Sequence, residues 1–112
     1  MASNDIQSAN LFDFVPTGGA DEDMTTLLTT PGARLIRIVS TGQATPVGDW
    51  YDQDDNEWVV VLRGRAGLRI DGEDDIRILS EGDYVDLPTG LRHRVEWTDA
   101  DEPTVWLALH YD

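Results

Sequence analysis

Few residues in this chain can do chemistry. There is no cysteine, which removes disulfides, thiolate metal sites and cysteine nucleophiles together. There are two histidines, His93 and His110. Acids cluster at Asp49, Asp52, Asp54, Asp55 and Glu57; Asp54 and Asp55 read as a solvated loop. Glu57 with His93 would suffice for general acid–base work, such as an isomerisation, without a metal. Ser40 and Ser80 have no His and Asp partners at a recognisable triad spacing. The stretch Thr17-Gly18-Gly19-Ala20 lacks the lysine and the following helix of a phosphate-binding loop. Trp50, Tyr51, Gln53 and Trp97 are candidates to line a pocket for a small polar or ring-shaped ligand, whereas Trp58 and Trp106 read as packing. His110 shares strand parity with Trp106 and Ala108, so it faces either a cavity beside the other site residues or an ordinary core.

Short strands must position these side chains. Arg34–Val39 is rich in β-branched residues, and a short strand is plausible over Met24–Leu28. Trp58–Leu62 is a nearly continuous apolar run, the pattern of a strand buried on both faces. Gly67–Ile70 and Ile76–Leu79 flank Asp71-Gly72, a strong hairpin signal. Tyr84–Leu87 and His93–Trp97 alternate, and Thr104–Tyr111 completes the set. Alternation puts His93, Val95 and Trp97 on one face and Arg92, Arg94 and Glu96 on the other. Many short strands with no helical period predict an all-β sandwich or barrel. Residues 1–20 are polar, with Leu11, Phe12, Phe14 and Val15 as their apolar cluster before Pro16. They read as an arm, partly flexible or docked on a partner subunit, ahead of one barrel domain over residues 21–112.

The segment Gly82-Asp83-Tyr84-Val85-Asp86-Leu87-Pro88-Thr89-Gly90-Leu91-Arg92-His93 resembles the second motif of the cupin family. That motif runs glycine, five residues, proline, one residue, glycine, two residues, histidine, and then asparagine four positions on; Trp97 stands in place of the asparagine. Glu57 followed by Gly64 matches the end of the first motif, whose His-x-His pair is missing. Its two histidine positions fall on Trp50 and Asp52 or on Tyr51 and Gln53, according to loop length. The resemblance, over roughly residues 33–110, implies a cupin-type jelly-roll β-barrel. It also implies an interior metal site, of which Glu57 and His93 survive by position. Asp52 is the candidate to replace one histidine as a ligand. A set of Asp52, Glu57 and His93 would take one divalent ion, with Mn, Fe, Ni and Zn all compatible. The opposite reading stays open: Glu57 and His93 hydrogen-bond each other in a barrel that holds no metal. The resemblance further implies a homodimer. Three functions compete: a barrel that binds a small polar molecule, with or without a metal; a metal-dependent dioxygenase, isomerase or decarboxylase; and a metal-free sensing or assembly module.

Size and charge narrow the partners. A chain of 112 residues suits one domain. A net charge of -14 repels phosphate backbones and anionic membranes, so neither nucleic acid nor a membrane surface is expected as a partner. With no long apolar run and no signal peptide in view, a cytoplasmic location is the expectation. All eight basic residues are arginine. A surplus of acids without lysine suits a salty interior, and a GC-rich coding sequence would leave the same trace.

Overall fold

The computed structural model describes residues 6–112. Eight strands follow one another: β1 (Asp23–Thr30), β2 (Ala33–Ser40), β3 (Asn56–Arg63), β4 (Ala66–Ile70), β5 (Arg77–Leu79), β6 (Tyr84–Leu87), β7 (His93–Thr98) and β8 (Thr104–Tyr111). No helix occurs among the described residues. The strands form a five-stranded sheet, ordered β1-β2-β8-β3-β6, and a three-stranded sheet, ordered β5-β4-β7. All of the pairings are antiparallel. Two facing antiparallel sheets in this order make the expected jelly roll, with polar-out, apolar-in alternation along the strands.

Inward positions of both sheets supply the core: Val59, Val61, Ala66, Leu68, Ile70, Leu79, Leu87, Trp106 and Ala108. Side chains of this size stabilise by about 1.5–3 kcal/mol each when fully buried, alanine less. The run Trp58–Leu62 differs from expectation. It is buried only at alternate positions, with Val59 and Val61 inward and Trp58, Val60 and Leu62 half-covered on the other side. That outer side is sheltered locally by side chains rather than by another layer. The Trp58 ring lies 5.4 Å from that of Tyr84.

Two glycines show how tightly the chain packs at its crossings. A Cβ on Gly64 would fall 2.6 Å from Thr104 Oγ1 and 2.7 Å from Thr104 Cα, and Gly64 sits at φ +89. A Cβ on Gly67 would collide with the Trp97 ring. Trp97 therefore needs the bare backbone of Gly67 to lie flat against β4.

The segment before β1 lies against the outer face of β2. Arg37, buried there, donates to the carbonyl oxygens of Leu11 at 3.1 Å and Asp13 at 2.6 Å and sits 3.5 Å from the Asp23 carboxylate. Asn10 and Asp13 close the local turn by bonding each other's backbone. Phe12 lies under the Arg63 guanidinium at 4.1 Å, and Phe14 is 95% exposed.

Candidate functional site

The barrel holds a cavity of about 230 Å³, somewhat below the usual size of a drug-sized ligand pocket and suited to a small molecule. Its walls are mostly apolar: Ile36 and Ile38 of β2, Val59, Leu68, Leu87, Val95 and Trp106. Against that lining stand a few polar groups, namely Glu22, Arg34, Tyr51, Gln53, Glu57, His93 and His110.

Strand register brings the central three together. On the five-stranded sheet Glu57 of β3 pairs with His110 of β8 on one side and with Leu87 of β6 on the other. His93 enters from the three-stranded sheet, at the start of β7, opposite Ile70 of β4. The turn before it is set by Pro88 and by Gly90 at φ +79. Glu57 thus lies between two imidazoles. Its Oε1 is 3.4 Å from His93 Nε2 and its Oε2 is 3.6 Å from His110 Nε2. All three residues are buried.

The outer nitrogens of both rings are committed. His93 Nδ1 lies 3.1 Å from the carbonyl oxygen of Leu91, and His110 Nδ1 lies 3.2 Å from Asp55 Oδ1. A carbonyl and an ionised carboxylate only accept, so each Nδ1 must carry the proton and donate. A neutral ring in that tautomer turns the Nε2 lone pair toward Glu57, acceptor against acceptor. The arrangement becomes favourable when a proton, on a ring or on the Glu57 carboxyl, or a cation sits between them. Burial opposes the charge on His93. The Glu57 carboxylate and the Leu91 carbonyl outweigh it, so the His93 pKa is raised above its ordinary 6.5. Burial, then the charge of Glu22, raises the Tyr51 phenol above its ordinary 10, so it remains a protonated donor at neutral pH.

The segment before β3 chooses between the two registers left open by the sequence. Tyr51 and His93 form an isolated antiparallel bridge, with N–H to O distances of 2.7 and 3.1 Å. Gly90 N–H donates to the Gln53 carbonyl at 3.0 Å. Zipped in this way, the segment alternates, with Tyr51 and Gln53 turned to the cavity and Trp50 and Asp52 turned away. The Tyr51 ring lies 5.5 Å from that of His93. Asp52 is exposed and does not line the cavity, contrary to its assignment as a ligand. Trp50 also lies outside, beneath the Arg92 guanidinium at 5.0 Å.

Trp97 is the other departure. The β4–β7 register slips between Gly67 and Leu68: Leu68 pairs with Val95 and Gly67 with Trp97, so Glu96 is an extra residue. A bulge of this kind reverses the parity beyond it. His93 and Val95 face the cavity, while Trp97 lies outside on Gly67, with the Arg65 guanidinium 5.9 Å from its ring.

Glu22 and Arg34 line the cavity without having been singled out for it, and Trp106, read as packing rather than lining, lines it as well. Strand parity carried the signal for Arg34, which alternates with Ile36 and Ile38, and for Trp106, which alternates with Ala108 and His110. Trp106 donates through Nε1 to Ser40 Oγ at 3.0 Å, and the Ser40 hydroxyl donates in turn to the Glu22 carboxylate.

The residues present suit a divalent ion in kind. Two imidazole Nε2 atoms with anchored Nδ1 atoms, beside one carboxylate, are good ligands for first-row metals. The side chains are closed on one another, and among the described residues no group of three or more His, Asp or Glu stands open around a common point to hold an ion. When bound, such an ion would supply positive charge to polarise a ligand oxygen.

Comparison with known proteins follows the same line. The cupin-domain family model matches residues 37–110. No curated protein matches. Among solved structures, the chain is similar to a Ralstonia eutropha protein described as a putative mannose-6-phosphate isomerase. The two are 47% identical over 96% of this chain and 99% of that one, with a TM-score of 0.94. A cupin superfamily protein of Desulfitobacterium hafniense (11% identity, 87% and 83% covered, TM-score 0.71) shares the fold. So does an RmlC-like cupin of Methanocaldococcus jannaschii with a double-stranded β-helix fold (14% identity, 95% and 91% covered, TM-score 0.72). With the family model matching well over half of its length, this chain belongs to the cupin-domain family.

Proposed function

We propose that the barrel cavity binds a small polar molecule at the Glu57–His93–His110 cluster, with one divalent cation as the source of the positive charge the cluster needs. One observation carries this reading. A buried carboxylate faces two imidazole Nε2 atoms whose Nδ1 atoms already donate elsewhere. A divalent ion would satisfy all three groups at once, where protons would have to be added singly. Mn²⁺, Fe²⁺, Ni²⁺ and Zn²⁺ all suit a two-imidazole, one-carboxylate set.

The isomerase reading gains from a specific observation, the resemblance at 47% identity to a protein described as a putative mannose-6-phosphate isomerase. An aldose–ketose interconversion moves a proton between adjacent carbons, and Glu57 backed by His93 is equipped to accept and return one.

Elemental analysis of untagged protein, purified without chelator and also after incubation with each of the four ions, tests the proposal. Near-stoichiometric metal that is lost in His93→Ala, His110→Ala and Glu57→Gln is the expected result. Absence of metal under every condition would overturn the cation-dependent reading.

A further inference from the structure

The eight arginines of this acidic chain are nearly all occupied. Arg37, Arg69, Arg77, Arg92 and Arg94 sit beside carboxylates. Arg63 and Arg65 lie over the rings of Phe12 and Trp97. Arg34, exposed, has neither an ion pair nor a hydrogen bond from its guanidinium among the described residues, and it alone of the eight lines the Glu57 cavity.

Register fixes where its backbone stands. On the inner face of the five-stranded sheet Arg34 pairs with His110, and His110 pairs with Glu57. The Arg34 Cα is therefore two strand spacings, about 10 Å, from that of Glu57 along one row. The cavity's two carboxylates are committed, Glu22 to Ser40 and Glu57 to the histidines. The cavity thus has an acid–base end at Glu57 and a free cation at Arg34, with His110 between them in the row and apolar walls around. A net charge of -14 repels anions from the molecule as a whole, so an anion captured here needs a local, directed donor. A guanidinium supplies that, because its planar fork matches an oxyanion at two points.

We infer that Arg34 is an anion-recognition residue: the cavity ligand is a small molecule a few carbons long, with a carboxylate or phosphate at Arg34 and its hydroxyl or carbonyl end at Glu57. This rests on the reading of the cavity as a ligand site. It selects the ligand class by charge, and does not depend on whether a metal is bound.

The test is nuclear magnetic resonance of the full chain with inorganic phosphate, acetate and neutral glycerol as probes, following arginine Nε–H, histidine ring and Trp106 indole signals. Phosphate, acetate or both should shift the Arg34 signal saturably at roughly millimolar concentration, leaving Arg63 and Arg65 unmoved. Response to phosphate alone identifies a phosphate ester as the source of the anion, and response to acetate alone identifies a carboxylate. Arg34→Gln should weaken the accompanying His110 shift about tenfold, with Arg34→Lys between the two. An Arg34 response no larger than that of Arg63, or an Arg34→Gln variant that binds the anions equally, would overturn the inference. Glycerol moving Trp106 and His93 while no anion touches Arg34 would remove this inference and leave the cavity reading standing. Silence of all cavity signals with all three probes would count against both.

Discussion

Among the residues, Glu57 governs the site. Its carboxylate is buried and meets imidazole on both sides. Because the His93 pKa is raised, the folded protein holds that proton more tightly than the unfolded chain does. The resulting stabilisation is fully present below the unfolded value near 6.5 and is lost as pH rises through the higher folded value. In chelator-treated protein, the urea-midpoint advantage of wild type over His93→Gln should be largest at about pH 5.5–6 and shrink toward pH 8. A gap that widens with pH would contradict the assignment. At this scale the sequence was half legible. His93 and Glu57 could be placed because motif spacing fixes them. Asp52 could not, since Tyr51 and Gln53 occupied the same candidate positions one residue along, and only the Tyr51–His93 bridge decides which set faces inward.

Among the elements, the strands were readable and their irregularities were not. Tyr84–Leu87 and Thr104–Tyr111 were legible to the residue from alternation and turn signals. The bulge at Glu96 left no mark in the residue types, yet it carries Trp97 out of the cavity. Its outward position depends on Gly67. A methyl there collides with the indole, so Gly67→Ala should cost about 1–3 kcal/mol in denaturant melts. Shortening the neighbour in Gly67→Ala/Trp97→Ala should recover part of that loss. Gly64→Ala meets backbone atoms of Pro103 and Thr104 as well as carrying a positive φ. It should cost more than Gly67→Ala, upward of about 2 kcal/mol. Equal stability of Gly64→Ala and wild type would mean that the β3–β4 turn is not packed on β8 as described.

For the whole molecule, charge and the segment before β1 carry the consequences. Net charge of -14 on 112 residues implies self-repulsion that salt screens. The melting temperature should therefore climb between about 0.05 and 1 M NaCl, and a fall would mean that specific surface ion pairs outweigh repulsion. The segment over residues 6–20 is tied down by Arg37 through two backbone carbonyls. Limited proteolysis of Arg37→Gln should clip that segment well before the barrel, whereas wild type should resist at the same protease dose. The sequence marks off the apolar cluster Leu11–Val15 before Pro16; its described part lies on the chain's own β2, with Phe14 exposed. The anchor was not legible there, because a buried arginine in a strand looks like any outward-facing one until the chain folds over it.

The need for positive charge at Glu57 turns on where the imidazole protons lie, and long-range ¹H–¹⁵N correlation spectra of the histidine rings report that directly. In metal-free protein near pH 7 both His93 and His110 should carry a proton on Nδ1, and zinc should shift both Nε2 resonances. Finding either ring neutral with its proton on Nε2 would contradict the account. Glu57 would then accept an ordinary hydrogen bond from that ring, and the site would have no unmet need for positive charge.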